Sequence, residues 1–418
     1  MKFQYISYLF IMLGFNCVMA QTETETQPPY NIKTVTFVQN NINVIPVFNI
    51  NDSFQLHFDD LYGDEANYYY QVQHCDYDWK PSQLFKNEYI QGFDDQRIQD
   101  YLTSLNTLQN YAHYKLSFPN RFTTKFLVSG NYILKILNEN KELVFSRRFI
   151  LFENLVSVPM QVKRARNVKD IATKQNLEFV IKSEAIQFQN PLQNVKVKLF
   201  QNGQLGLAKT NIKPMFTIGN DLVYRYDAET QFWGGNEFLF FENKNIRGAS
   251  NSVMFIDTQG GVYNSHLYQN SSRANLPYTF FPDVNGNFQI SNLNSTIIET
   301  EADYAWVYFS LSAPNYVGKN DIYVNGMFNN FALSPENKMD YNKEKGIFEK
   351  AIMMKQGFYN YHYVVTDSKG NIDDKNAIDG NFWQTENNYF CLVYYRENGQ
   401  RFDRIIGKGT VTSTEIIN

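Results

Sequence analysis

The residues best suited to chemistry are concentrated in one stretch, Tyr68 to Asn131, which contains His74-Cys75-Asp76-Tyr77-Asp78-Trp79. His74-Cys75 is the only adjacent soft pair in the chain. A zinc site needs about four N/S ligands, and no further pair stands nearby at ligand spacing. A Cys–His nucleophile fails for another reason: neighbours on a strand point to opposite faces, so one cannot activate the other. The remaining histidines, His57, His113, His266 and His362, form no His-Glu-x-x-His pattern. There is no Gly-x-Ser-x-Gly elbow and no glycine loop of the phosphate-binding kind. Asp283-Val284-Asn285-Gly286-Asn287 is similar to a calcium loop only in part. Its glycine comes too early, and Asn294 stands where a bidentate Glu is required, so a hairpin turn is expected. Asp59-Asp60, Asp94-Asp95 and Asp373-Asp374 are adjacent acids, whereas a glycosidase pair must face across a cleft. The expectation is a protein with no catalytic residues, no cofactor and no metal, and not an enzyme.

The elements that position these residues read as strands. Of the 418 residues, 43% are hydrophobic and 16% aromatic, including 29 Tyr and 35 Phe, a composition that favours sheets over helices. Period-two alternation recurs at Phe54/Leu56/Phe58, Tyr68/Tyr70/Val72, Tyr132/Leu134/Ile136, Leu177/Phe179/Ile181, Val195/Val197/Leu199, Tyr359/Tyr361/Tyr363 and Tyr389/Cys391/Val393/Tyr395. Ile98, Tyr101, Leu102 and Leu105 have helical spacing and predict one short helix. The net charge is −4, without the basic excess of a nucleic-acid-binding face.

Lys2, an apolar core from Ile6 to Phe15, and Val18-Met19-Ala20 read as a secretory leader over 1–20. Gly14-Phe15-Asn16 before Cys17 departs from a lipoprotein pattern. No later apolar run approaches the roughly 20 residues of a membrane helix. An exported, periplasmic protein that does not span the membrane is expected, with Cys75 and Cys391 as buried free thiols. The fold class expected is all-β: three tandem β-sandwich domains. A flexible lead-in covers 21–29, the first sandwich 30–153, the middle one 154–258, a linker with a hairpin 259–300, the third 301–412, and a tail 413–418.

Two resemblances add to this reading. Val324-Asn325-Gly326-Met327-Phe328-Asn329-Asn330-Phe331 and Lys355 to Tyr363 resemble the glycogen-binding type of early set immunoglobulin-like module. Sugar-binding members stack exposed tryptophans on the glycan. Here Phe331 stands in that place, so the glycan function does not carry over with the fold. The first domain resembles the N-terminal domain of the type IX secretion system plug protein family. The resemblance rests on the order of His74-Cys75-Asp76-Tyr77-Asp78-Trp79, Ser82, Glu88-Tyr89, Gly92-Phe93, Ser104-Leu105-Asn106-Thr107, Tyr111, His113-Tyr114, Phe118-Pro119-Asn120, Ser129-Gly130-Asn131-Tyr132 and Arg147-Arg148-Phe149. Pro282 to Gly286 and Thr300-Glu301-Ala302-Asp303-Tyr304 are similar to later parts of the same family.

That resemblance implies a non-enzymatic periplasmic protein of a Bacteroidetes-type bacterium that occludes the periplasmic mouth of the large outer-membrane translocon barrel. Such an interface buries on the order of 1,600 Å² and is anchored by aromatics. Tyr77, Trp79 and Tyr89 are the candidate partner-binding residues; the competing reading places them in core. The alternative function is a glycan-binding accessory protein at the outer membrane. Neither reading calls for nucleic acid or a small-molecule substrate.

Overall fold

The computed structural model describes residues 22–416; the expected leader over 1–20 lies outside the described residues. The alternation Phe54/Leu56/Phe58 buries those three side chains almost completely, and Tyr132/Leu134/Ile136 do the same from the opposite sheet. These rows are the inner faces of the first sandwich. One sheet runs, in spatial order, Ile42–Asn43, Ile32–Gln39, Phe54–Asp60, Ala112–Phe118 and Asp100–Thr103. The other runs Val47–Asn49, Leu143–Phe152, Gly130–Leu137, Tyr69–Cys75 and Gln96–Arg97. Aromatic rings fill the gap, with Phe48 stacked on Phe54 at 4.1 Å and Tyr132 on Phe149 at 5.1 Å. Each such burial contributes about 1.5–3 kcal/mol.

The helix expected at Ile98–Leu105 is instead a strand. Asp100–Thr103 pairs with Ala112–Phe118, with Tyr101 opposite Tyr114. The helical stripe was misleading because Leu102 and Leu105 are exposed and bury nothing. The backbone polar groups of the neighbouring sheet edge are satisfied by the ladder.

The strands beyond residue 153 are distributed differently from the tandem order expected. In the middle sandwich, one sheet holds Met160–Arg164, Lys174–Ile181, Asp221–Tyr224 and Phe216–Ile218, with Gln231–Trp233 beside Lys174–Ile181. The facing sheet is Val195–Gln201, Asn388–Tyr395 and Arg404–Thr412. The last two strands of the chain therefore complete the middle sandwich, with Val195 opposite Tyr395 and Leu199 opposite Cys391. Their inward row, Tyr389/Cys391/Val393/Tyr395, packs in one core with Leu177, Phe179 and Ile181. The third sandwich is inserted between, over roughly 237–386. Period two identified these strands but could not say which sheet accepts them.

The third sandwich also takes in Leu239–Glu242 and Val253–Asp257, which the expected boundaries assigned to the middle unit. The segment 259–300 is part of the same body rather than a linker. Tyr263–Leu267 runs parallel to Tyr304–Ser312, Phe288–Ile290 pairs with Gly357–Thr366, and Ile298–Glu301 forms a helical turn. The turn expected at Asn285-Gly286 is present, with both residues at positive φ. Cys75 and Cys391 are free and buried, as expected. Among the described residues no helix is long and apolar enough to cross a membrane.

The first sandwich lies between the other two. Strand alternation sends Ile133, Cys75, Ile150 and Val47 outward from one of its sheets, into a seam with Phe200, Phe390, Leu392, Tyr394 and Ile405 of the middle sandwich. The opposite sheet sends His57, Asp59 and His113 outward, toward Lys355, Tyr304 and Glu299 of the third.

Candidate functional site

The stretch that opened the sequence reading builds the first of these seams. Asp76 Oδ1 accepts the backbone N–H of Asp403 at 3.0 Å, and the Tyr77 N–H donates to Asp403 Oδ2 at 3.0 Å. Asn131 Nδ2 donates to the Asp76 carbonyl, and its Oδ1 accepts the Tyr394 hydroxyl at 2.8 Å. Ser129 Oγ accepts the Ile405 N–H and donates to Glu153, which Arg404 also engages at 2.7 Å. Arg396 completes the rim, bonded to both Asp403 and Asp76. His74 is buried, with Nδ1 on Ser82 Oγ and Nε2 facing the Ser129 carbonyl. Burial pushes its pKa down to about 4, leaving a neutral structural imidazole. Burial also raises the Cys75 thiol to about 12, so it is no nucleophile.

The three residues expected to anchor a partner are placed inside this architecture. Tyr89 is 1% exposed and its hydroxyl donates to the Val72 carbonyl. Trp79 is 8% exposed beneath the Arg148 guanidinium, 4.2 Å from its ring. Tyr77 is half-buried, edge-on to Tyr394 at 4.9 Å, and its hydroxyl donates to the Val197 carbonyl. Trp79 and Tyr77 hold the middle sandwich and Tyr89 fills the first core. Trp79 and Tyr89 are buried by these contacts, and Tyr77 is half-buried. Lys198, also 5% exposed, sits among Tyr77, Trp79 and Tyr394 and donates to the Tyr77 carbonyl at 2.6 Å.

The second seam is ionic. Asp59 is fully buried and accepts from His113 Nδ1 at 2.5 Å, Lys355 Nζ at 2.7 Å and the Tyr304 hydroxyl at 2.7 Å. Burial alone would raise this carboxyl; Lys355 and His113 outweigh it and hold the pKa at about 2. Around it, two of the sequence motifs clasp each other. Asp303 accepts the backbone N–H groups of Leu108 and Gln109, Tyr111 donates to the Ala302 carbonyl, and the Leu105 N–H donates to the Thr300 carbonyl. Asn43 and Asn287 add side-chain bonds to each other's strands.

Two further features were missed in sequence. His57, His113 and Glu299 bring one ligand-type atom each to within 4.8 Å of one another. Phe255, His266 and Tyr308 form a ladder across three strands, with ring centroids 4.1 and 4.4 Å apart. Phe255 is 44% and Tyr308 38% exposed. The near-parallel rings cover each other's faces, which leaves little for sugar stacking but an aromatic surface for protein contact, its middle ring bonded to Asp257. Phe331, in the place of a sugar-stacking tryptophan, lies against the Gly286 turn. The outward phase of Tyr308 was visible in the alternation; the partner strands that complete the ladder were not.

Comparison with known proteins now bears on this three-body arrangement. Residues 32–153 match the family model described as type 9 secretion system plug protein, first domain. A crystal structure of a hypothetical protein from Parabacteroides merdae ATCC 43184 has a TM-score of 0.89 and 30% identity, covering 94% of this chain and 100% of that one. No curated protein matches the chain. The class is thus an all-β, multi-sandwich protein whose signature domain is the central one. The chain belongs to the type IX secretion system plug protein family, a family of secretion components and not of enzymes.

Proposed function

We propose that this protein occludes the periplasmic opening of the large outer-membrane translocon of type IX secretion by binding its barrel. The observation that carries the reading is the family match on residues 32–153, combined with the burial of both faces of that domain under the other two sandwiches. A body that blocks a wide pore must resist deformation, and buried seams on two sides of the central domain supply that resistance. Reversible closure then needs only a protein–protein interface of roughly 1,600 Å² or more. With Trp79 and Tyr89 committed inside the chain, the exposed ladder Phe255–His266–Tyr308 and the exposed Phe280 and Phe281 of the third sandwich are the apolar surface offered to the barrel.

The test is cross-linking in the native envelope followed by affinity isolation. The expected product is a covalent adduct with the very large translocon barrel, weakened by Phe255→Ala with Tyr308→Ala. Retention on a polysaccharide resin with no barrel recovered would overturn the proposal in favour of glycan binding. In a deletion strain, entry of large antibiotics across the outer membrane is expected to rise.

A further inference from the structure

We propose that His57, His113 and Glu299 form a binding site for a divalent cation of the zinc class, which ties the first sandwich to the third. The three residues come from separate elements: His57 from Phe54–Asp60, His113 from Ala112–Phe118 and Glu299 from the helical turn Ile298–Glu301. The first two strands are hydrogen-bonded neighbours, and both histidines lie on the outward phase of the sheet, with ring centroids 5.1 Å apart. Tetrahedral zinc with bonds of about 2.0–2.1 Å places ligand atoms roughly 3.3 Å from one another. The present spacing, within 4.8 Å, needs only side-chain adjustment to reach that geometry.

The hydrogen bonds around the cluster suit ligation. His113 Nδ1 donates to the buried Asp59 carboxylate, the carboxylate–histidine arrangement that orients a metal-bound imidazole and raises its basicity. Its Nε2 is buried without a hydrogen-bond partner, on a residue only 5% exposed. A buried polar atom left unpartnered costs about 1–3 kcal/mol, and a cation removes that cost. His57 Nε2 is held by Gln55 Oε1 at 3.0 Å, and Gln55 Nε2 in turn donates to Ser117 Oγ. That arrangement makes the Gln55 oxygen the acceptor and leaves the other imidazole nitrogen of His57 with its lone pair. All three residues face, or stand beside, a cavity of about 620 Å³ between the two sandwiches, which gives the ion a route in and room for a water as fourth ligand.

The charges facing the cluster set the strength expected. Lys355 is balanced by Asp59, and Lys115 donates to Glu299 Oε2 at 2.5 Å. An arriving dication must share Glu299 with Lys115, so binding is weaker than at a closed four-ligand structural site. Two imidazoles and one carboxylate select zinc-class ions over magnesium or calcium, which take oxygen ligands.

The purified, untagged protein, stripped with chelator, is titrated with zinc chloride by calorimetry, and with cobalt(II) for its visible absorption. The expected result is one ion per chain, with Glu299→Gln binding at least tenfold more weakly, His57→Ala and His113→Ala losing the ion, and Glu344→Gln, at an exposed carboxylate away from the cluster, unchanged. Glu299 is half-exposed, so its variant folds even if the histidine variants do not. No zinc binding by the parent protein, or equal binding by parent and Glu299→Gln, overturns the proposal.

Discussion

The two seams that flank the first sandwich are closed by different physics. Against the middle sandwich, two sheets meet face to face and bury Ile133, Ile150, Phe200, Phe390, Leu392 and Ile405, with Phe200 stacked on Phe390 at 4.5 Å. Its ion pairs, Arg396 and Arg404 with Asp403, Asp76 and Glu153, reach the rim through the arginines, both 37% exposed, while Asp403 itself is buried. Against the third sandwich, the apolar patch is small, Leu61, Tyr111, Tyr304 and Met353, and the centre belongs to the Asp59–His113–Lys355 cluster. Cavities of about 500 and 620 Å³ flank it. Apolar contacts do not themselves titrate. A buried ion cluster is stable only while its charges match, since removing one partner strands the others in a low dielectric. The apolar seam is thus termed the permanent joint and the ionic seam, whose centre is titratable, the conditional joint.

The largest effect is expected at the permanent joint. Phe390→Ala removes a ring that is 6% exposed and stacked across the sheet, and should destabilise the protein by about 4 kcal/mol. Urea unfolding measures it; a loss below about 1 kcal/mol would mean that this seam is not closed as described. At the conditional joint, Lys355→Met leaves Asp59 buried without its ammonium partner, and a loss of about 3 kcal/mol is expected. The acid limb sharpens the contrast. Asp59 is held down from its ordinary 3.8 to about 2, so its contribution is present above pH 4 and disappears as pH falls through about 2. His57, lowered from 6.5 to about 3, adds a loss that begins below pH 6.5. Hydrogen exchange in acid should therefore rise first around Thr300–Tyr304, before the backbone around Phe390.

What could be read from the sequence follows the same division. Alternation of apolar residues reports which face of a strand is inward, so the sheets of the first sandwich were legible from Phe54/Leu56/Phe58 and Tyr132/Leu134/Ile136. It does not report which distant strand pairs with which, so the return of Asn388–Tyr395 to the middle sandwich was hidden. The family-like motifs were visible as ordered fragments, but their purpose was not. Asp76, Ser129 and Asn131 bond to the middle sandwich, while Ser104–Tyr111 and Thr300–Tyr304, nearly 200 residues apart, bond to each other. A residue that satisfies a backbone group in another domain looks, in sequence, like a loop residue. The same limit concealed His57, His113 and Glu299: their outward phase was readable on the strands, but the helical turn that brings Glu299 to them was not.

The smallest predicted effect concerns the one cation buried inside the otherwise apolar joint. Burial lowers Lys198 from 10.5 to about 7, and the nearby Arg148 and Lys196 act in the same direction against Asp78 and Asp403. The rings of Tyr77, Trp79 and Tyr394 favour the charged form. Because the unfolded chain binds this proton more tightly than the folded one, stability should rise with pH once the folded group begins to deprotonate. Between pH 6 and 8 the gain expected is about 1 kcal/mol. Lys198→Met removes the charge while keeping much of the stem's volume, so the slope over that interval should flatten by the same amount. The acid losses below pH 6.5, to which His74 contributes here and His57 and Asp59 at the other seam, should stay as they are. If Lys198→Met leaves the slope between pH 6 and 8 unchanged, the three rings and the Tyr77 carbonyl keep the ammonium charged throughout. The permanent joint then contains a cation as firmly held as the one at the conditional joint, and what separates the two seams is apolar area alone.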